Sequence, residues 1–381
     1  MMERKLKIAM FGHKWIPSRE GGIEIVVEEL SARLVEKGNQ VTCYNRKSSR
    51  SGNVPYHLKR HDEYKGIKIN TVPTIEKKGL SAITAAFFAA LYSSFGTFDI
   101  VHIHAEGPAF FCWIPKLFGK KVVCTIHGLD WKRAKWNFGL GSKIILQGEK
   151  NAARYADEII VLNKENQKYF KETYNRDTIL IPNGVSRPQR KEAAAIRQKW
   201  GLEEETYILF LGRLVPEKGL RYLIEAFMQV KTDKKLVIAG GSSDTDVFVQ
   251  EMRELAKENL QIIFTGFVQG EVIDELYSNA YAYILPSELE GMPLSLLEAM
   301  SYGNCCLVSD IPECAEVVED YALLFKQKNV SDLKEQLQYI CENEKIVQEY
   351  KNRSADFICN KYNWNDVARK TMELYTTLQD T

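Results

Sequence analysis

Short runs rich in Val and Ile alternate along this chain with longer stretches in which apolar positions recur every three or four residues. The first pattern predicts strands buried on both faces and the second predicts helices covered on one side. Their alternation predicts parallel sheets flanked by helices, so the expected fold class is α/β. In the first half the strands read KIAMFG, QVTCYNR, IKINTVP, DIVHIHA, KVVCTIHG, EIIVLN and TILIPNG, separated by helical stretches such as residues 23–37 and 80–95. The second half restarts the rhythm with YILFLGR, KLVIAGG, IIFTGF, AYAYILP, CCLVS and YALLF. Between the halves lies the polar stretch 186–201, with Pro188 and several charges, which reads as a linker and the opening helix of a second domain. A chain of 381 residues is long for one core. The expected division is a first domain over 1–187, a second over 188–360, and a closing segment over 361–381.

Composition narrows the class. With 45% hydrophobic and 27% charged residues and no repeat or low-complexity tract, the chain is neither disordered nor a solenoid. The opening MMERKLKIAMFG has too short an apolar run for a signal peptide and reads as a first strand, which implies the cytoplasm. The longest uncharged apolar stretch, 80–95, is short for a bilayer span and carries Ser and Thr, so a buried or surface-packed helix is expected. Eight cysteines without a CxxC pair read as buried thiols. The net charge of +1 hides an asymmetry: up to Arg187 there are 30 basic and 18 acidic residues, and beyond it 21 and 32. A first half at +12 suits an anionic partner, a phospholipid surface or a pyrophosphate-linked acceptor, although surface solvation and attraction between domains account for it equally. Nucleic acid is not among the expected partners.

In open parallel sheets ligands sit beyond the carboxyl ends of the strands, so chemistry belongs in the loops there. After the first strand, Gly21 and Gly22 precede a helix with apolar residues at 23, 26, 27, 30 and 34. Paired glycines let backbone approach an anion at a helix N-terminus, though a simple turn uses them too, and without a GxGxxG a dinucleotide dehydrogenase is disfavoured. After the fifth strand, TIHGLDWKRAKW brings His127 and Asp130 to the strand end, followed by Lys132, Arg133 and Lys135 with Trp131 and Trp136. His127 can contact a substrate hydroxyl or be structural, and the basic, aromatic mixture suits a sugar or a membrane interface.

In FLGRLVPEKGL, Arg213 follows a strand and Lys218 stands five residues on, near a helix start. Two cations and a helix N-terminus can neutralise a diphosphate. The P-loop pattern fails, because Glu217 stands where its second glycine belongs. The most specific segment is AYAYILPSELEGMPLSLLEAMSYG. A strand ends at Pro286, Glu290 and Gly291 form a loop, Pro293 fits the first turn of a helix and Glu298 its second. Amides in the span from Met292 through Leu294 to Ser295 can bind phosphate, leaving Glu290 to face a sugar and Glu298 to accept from a ribose. The triplet Asp244-Thr245-Asp246 has the DxD form that can hold Mg²⁺ on a diphosphate. It lies in a Ser-rich loop that also resembles a helix cap, and Arg213 and Lys218 already supply positive charge. No metal and no other cofactor is expected.

The E-x7-E signature from Glu290 to Glu298, GRLVPEKGL, IPNGV at 181–185 and the Gly21-Gly22 turn together resemble the retaining glycosyltransferase family 4 of GT-B fold, over essentially the whole chain. The resemblance implies two Rossmann-like domains with parallel sheets facing across a cleft, and a final helix, YNWNDVARKTMELYTTL, crossing back to the first domain. It implies transfer of a hexosyl unit from a nucleotide-diphosphate sugar to a glycan acceptor, with retention and without metal. The GGIEIVVEEL opening is similar to that of bacterial surface-polysaccharide transferases such as those of capsules; the positive first half and its aromatic residues fit a lipid-linked acceptor and peripheral attachment at the inner membrane face.

Residue by residue, the resemblance gives Arg213 and Lys218 the donor diphosphate, Glu298 the ribose and Glu290 the donor sugar, with Gly291, Met292, Pro293, Leu294 and Ser295 lining the same donor loop. Phe267 and Val268 in TGFV lie beside the nucleobase. His127 meets the donor sugar and the acceptor, Gly22 approaches phosphates and acceptor, and Gly21 and Asp130 stand on the acceptor side. Catalysis is thereby assigned to Glu290, His127, Arg213 and Lys218. One departure is IPECAE after VSD at 308–310, where the family often has a Gly-Gly turn, and it puts a role for Glu316 in doubt. Two alternatives share the fold: a nucleotide-sugar 2-epimerase, and a non-catalytic subunit that binds nucleotide sugar.

Overall fold

The computed structural model describes residues 5–47, 62–77, 79–132, 140–241 and 246–380. The chain divides into two compact units, Met1–Asn183 with Trp364–Thr381, and Gly184–Asn363.

The first unit holds β1 (Lys7–Phe11), β2 (Gln40–Arg46), β3 (Glu63–Tyr64), β4 (Ile67–Val72), β5 (Ile100–His104), β6 (Lys121–Ile126), β7 (Glu158–Val161) and β8 (Ile179–Leu180). They form one sheet in the order β3-β4-β2-β1-β5-β6-β7-β8, parallel apart from the β3–β4 pair. Ile8 faces Val41 on one side and Ile100 on the other, and all three are buried, as the continuous apolar runs require of strands covered on both faces. The two-residue β3 has no apolar alternation and was not legible in the sequence. TILIPNG contributes only Ile179–Leu180, because Pro182 has no N–H to extend a ladder. Covering the sheet are α1 (Gly22–Glu36), α2 (Leu80–Phe95), α3 (Glu106–Ala109), α4 (Trp113–Leu117), α5 (Leu140–Tyr155) and α6 (Lys164–Tyr174).

The second unit opens with α7 (Ala195–Trp200). Its strands are β9 (Tyr207–Leu211), β10 (Lys235–Ala239), β11 (Ile262–Gly266), β12 (Ala282–Leu285), β13 (Cys305–Ser309) and β14 (Leu323–Phe325). They form a parallel sheet in the order β11-β10-β9-β12-β13-β14. Its helices continue with α8 (Leu220–Phe227), α9 (Asp246–Ala256), α10 (Glu271–Asn279), α11 (Leu294–Ser301), α12 (Pro312–Val318), α13 (Val330–Glu342) and α14 (Glu344–Lys361). Phe210, Ile238, Ile284 and Leu307 stack in its core against Leu223, Phe227 and Leu337.

The last helix, α15 (Trp364–Asp380), belongs to the first unit. It buries Trp364, Val367, Ala368, Thr371, Leu374, Tyr375 and Leu378, and packs on α1. The Tyr375 hydroxyl reaches His102 Nδ1 at 2.6 Å, and Arg33 Nε donates to Asn365 Oδ1 at 3.2 Å. All eight cysteines are free thiols, seven of them buried.

Each sheet reverses its winding once, between β1 and β5 in the first unit and between β9 and β12 in the second. Adjacent loops leave in opposite directions there and open a crevice beyond the carboxyl ends of the strands.

Candidate active site

The second unit's reversal joins the two loops that the sequence singled out. The loop after β9 carries Arg213 and Lys218, and the loop after β12 carries Glu290 through Pro293. Three contacts tie them together. The Glu288 N–H donates to the Glu217 carbonyl at 2.8 Å. Gly219, at φ +68°, lies so close to Pro286 that a Cβ there would sit 1.8 Å from the proline carbonyl oxygen. Lys218 Nζ, finally, contacts Glu290 Oε1 at 2.5 Å, with both side chains largely withdrawn from solvent. Glu290 Oε1 also accepts from Ser287 Oγ at 2.6 Å, and the Ser287 carbonyl accepts from Ser309 Oγ at 2.6 Å. The sequence reading gave Lys218 and Glu290 separate tasks; here one carboxylate oxygen is held by the ammonium and a hydroxyl together. Ser287 was missed because a serine in a loop carries no distinguishing spacing.

Pro293 is the N-cap of α11, at φ −76° and ψ 103°, and not part of its first turn. Its ψ is extended at the cap, so Leu294 is the first helical residue. Leu296 and Leu297 N–H groups both turn back to the Pro293 carbonyl, at 3.1 and 3.2 Å. Ser295 and Glu298 are backed by two buried tyrosines: Tyr283 donates to Ser295 Oγ at 2.9 Å, and Tyr277 points to the Ser295 carbonyl at 3.2 Å and Glu298 Oε2 at 3.4 Å. Burial raises both phenols well above their ordinary range, so they serve as neutral donors. Gly291 and Met292 are buried, and Phe267, 52% exposed beside Gly241, leads the half-buried Val268 at the end of β11.

The first unit's reversal is built from imidazoles. His102 and His104 alternate on β5, and His127 follows β6. His104 Nδ1 lies 3.0 Å from His127 Nε2, while His102 is held between Tyr375 and Thr125 Oγ1, the latter at 2.7 Å. Gly12, after β1, has φ +120° and approaches His104 so closely that a Cβ would meet its carbonyl oxygen at 2.0 Å. The next residue, His13, bonds Asn45 Oδ1 at 2.9 Å. Burial lowers His13 to about 4 and His102 to about 3, and drives His104 well below its ordinary value, with neighbouring imidazoles adding to the shift for His102 and His104. The sequence reading found His127 and missed the others, because DIVHIHA reads as an ordinary buried strand.

A small pocket lies beside this cluster, lined by Gly12, His13, Tyr44, Arg46 and Ala82, Ala85, Ala86 and Ala89 of α2. Arg46 is held below its ordinary range by desolvation, opposed by the charge of Glu24. The Glu24 carboxylate also lies against Gly21, where a Cβ would come within 2.4 Å of Oε2 and move that flexible side chain. The first turn of α1 thus carries its own carboxylate, which accepts from the Lys14 N–H at 2.9 Å, while Gly22 is exposed. Asp130 donates its N–H to Glu106 Oε2 at 2.9 Å. Glu106 is fully buried and its carboxyl is pushed well above the usual range by desolvation and then by the charge of Asp130. Trp131 donates to buried Glu149 at 3.1 Å, so its N–H serves the interior and not a sugar or membrane interface. Arg133, Lys135 and Trp136 lie outside the described residues, as do Asp244 and Thr245 of the DxD triplet; Asp246 opens α9. Among the described residues no three His, Cys, Asp or Glu side chains gather as a metal ligand set.

Two parallel sheets that each reverse once, in successive halves of one chain, are the architecture of the GT-B glycosyltransferases, to which its likeness to known proteins assigns this chain. Two family models match the chain, the one described as Glycosyltransferase Family 4 over residues 20–187 and the one described as Glycosyl transferases group 1 over residues 192–364. The protein therefore belongs to glycosyltransferase family 4. It is 25% identical to an uncharacterized glycosyltransferase of Methanocaldococcus jannaschii over 97% of this chain and 98% of that one. It is also 25% identical to the N,N'-diacetylbacillosaminyl-diphospho-undecaprenol alpha-1,3-N-acetylgalactosaminyltransferase of Campylobacter jejuni, over 66% of this chain and 73% of the relative. Among solved structures, sucrose-phosphate synthase of Thermosynechococcus elongatus superposes with a TM-score of 0.82 at 21% identity, over 98% of this chain and 99% of that one.

Proposed function

We propose that this glycosyltransferase moves a hexosyl unit from a nucleotide-diphosphate sugar to a lipid-linked glycan acceptor in bacterial surface-polysaccharide synthesis, with retention at the anomeric carbon and without a metal ion. The Lys218–Glu290 pair at the second unit's reversal carries the reading. In glycosyl transfer a diphosphate departs with growing negative charge, and preorganised cations and amides stabilise it. Arg213, Lys218 and the amides at the start of α11 supply that field, and Glu298 takes the ribose. On donor binding, Lys218 turns from Glu290 to the diphosphate and Glu290 accepts from the sugar hydroxyls, so each exchanges one partner for another and neither is left unpaired. The acceptor hydroxyl then attacks the face from which the diphosphate leaves: the new C–O bond forms as the old one breaks, and its proton passes to the departing phosphate oxygen.

The acceptor is assigned to the first unit. The undecaprenol-linked chemistry named for the Campylobacter relative supports a lipid-linked acceptor, as does the basic balance of this unit, and both support peripheral attachment at an anionic membrane face. No helix among the described residues is long and apolar enough to cross a membrane.

The test begins with thermal stability against UDP, GDP, ADP, CMP and dTDP, with and without Mg²⁺. A ligand at about 100 times its dissociation constant adds roughly 2.7 kcal/mol, a visible shift. Stabilisation by one diphosphate in EDTA supports the donor site and names the base; a strict Mg²⁺ requirement removes the metal-free reading. With the donor known, an inverted product anomer removes retention. Release of a rearranged sugar from donor alone makes the protein an epimerase, and binding without turnover makes it a binding subunit.

A further inference from the structure

α2 reverses the usual distribution of residues on a surface helix. The face it buries is made of small residues, Ala85, Ala86, Ala89, Ala90, Ser93 and Ser94, while Leu80, Phe87, Tyr92 and Phe95 stand exposed. It packs beside α4, where Trp113 and Leu117 are exposed and Phe118 follows. Phe95 and Phe118 close the gap between the helices with ring centroids 4.8 Å apart. Residues 79–98 contain no charged side chain, and residues 107–119 contain one, Lys116. A continuous uncharged aromatic face of this kind is unlike the scattered apolar residues of an ordinary surface.

Its rim is basic. Lys120 Nζ sits on the carbonyls of Gly96 and Phe98, at 2.6 and 3.3 Å, and Lys7 Nζ reaches Thr97 Oγ1 at 3.5 Å. The carboxylates nearest in sequence are engaged: Asp157 with Lys116 Nζ and the Val122 N–H, and Asp99 with the Lys7 N–H. The unit as a whole carries 31 basic and 21 acidic residues. Phe95 and Phe118 stand only a few residues before β5 and β6 begin, so this end of the face lies at the amino edge of the sheet, opposite the histidines.

We propose that the α2–α4 face seats the protein on a bilayer containing anionic lipid, with Phe95, Trp113, Leu117 and Phe118 in the interfacial layer and the rim lysines against headgroups. This rests on the reading that the protein works at a membrane, and is independent of the transfer chemistry. Trp and Tyr favour the headgroup level, Lys reaches from an apolar stem to a phosphate, and a 16-residue helix lies in the plane instead of crossing.

The experiment is flotation with vesicles of phosphatidylcholine alone or with about one-third phosphatidylglycerol, comparing the wild type with the double variant Phe95→Glu/Leu117→Glu. Both positions are mostly exposed, at 68% and 75%, so the fold tolerates the change. The wild type is expected to float with the anionic vesicles only, in a salt-sensitive way. The variant is expected to lose at least about tenfold in partitioning, with its melting point and its stabilisation by nucleoside diphosphate unchanged. Equal flotation of both proteins overturns this surface but leaves membrane attachment standing. Failure of the wild type to float removes attachment as well, while diphosphate binding still speaks for the transferase. A wild-type dimer in sedimentation that the variant dissolves assigns the face to a second copy of the chain.

Discussion

The two sheet reversals share a geometry and differ in chemistry. Each lies where neighbouring strands send their chains in opposite directions, and each has a glycine with positive φ pressed on a carbonyl of the other strand or its following loop, Gly12 on His104 and Gly219 on Pro286. In the first unit the crevice wall is neutral imidazole, three buried rings stripped of protons by desolvation. In the second it is a fixed ion pair, Lys218 with Glu290. All six histidines fall before residue 128, so the second unit has none. The contrast suits the division of labour proposed above. A departing diphosphate calls for permanent positive charge, whereas a hydroxyl is met by neutral donors and acceptors that leave no charge buried.

Acidification should break the comparison most strongly. His13 and His102 take up protons near 6.5 when unfolded, but only near 4 and 3 when folded. The unfolded first unit therefore binds more protons between those values, and its stability, complete above about 6.5, falls with pH. At about 1.4 kcal/mol per pH unit for each ring, the pair loses roughly 4 kcal/mol between pH 6.5 and about 5. Melting curves against pH should show an early transition that His102→Phe makes less pH-dependent, while a second transition, from the unit without histidine, moves less. A single transition insensitive to pH over that range contradicts the neutral-cluster description.

Next comes the glycine clamp. Gly219→Ala places a Cβ on the Pro286 carbonyl in a left-handed conformation, and should cost about 2–3 kcal/mol, read from the denaturant midpoint. A neutral substitution would mean that the two loops are not pinned as described. Of similar or smaller size, Lys218→Ala and Glu290→Ala should each lower turnover at least about tenfold, about 1.4 kcal/mol in barrier. Lys218→Ala should also weaken stabilisation by the nucleoside diphosphate. Full turnover in either variant would remove that residue from the site. The smallest effect is expected from His104→Phe, which deletes one hydrogen bond to His127. A loss of about fivefold in turnover, near 1 kcal/mol, with diphosphate binding unchanged, would mark His104 as a positioning residue.

Much of the second unit's site was legible because its signals are local. Glu290 and Glu298 stand a fixed number of residues apart on one loop and helix, and GRLVPEKGL holds its two cations five residues apart in one loop. The first unit's site was not, since it assembles His13, His102, His104 and His127 from three separate strand ends, and a histidine inside an apolar strand looks like any other buried residue. The glycine pair before α1 was legible as a close backbone approach, but not that the Glu24 carboxylate of the same helix lies beside Gly21.

The sequence by itself determined the α/β class, the parallel strands, α2 to the residue and the clustering of charge around Lys218, because strand burial and helix periodicity are properties of neighbours along the chain. Only the tertiary structure decided that α2 buries Ala85, Ala86, Ala89 and Ala90 and exposes Phe87, Tyr92 and Phe95, that Lys218 meets Glu290 over 72 positions of chain, and that Tyr375 closes on His102 over 273. Those outcomes depend on which strand ends the fold brings side by side, and spacing along the chain carries no record of that.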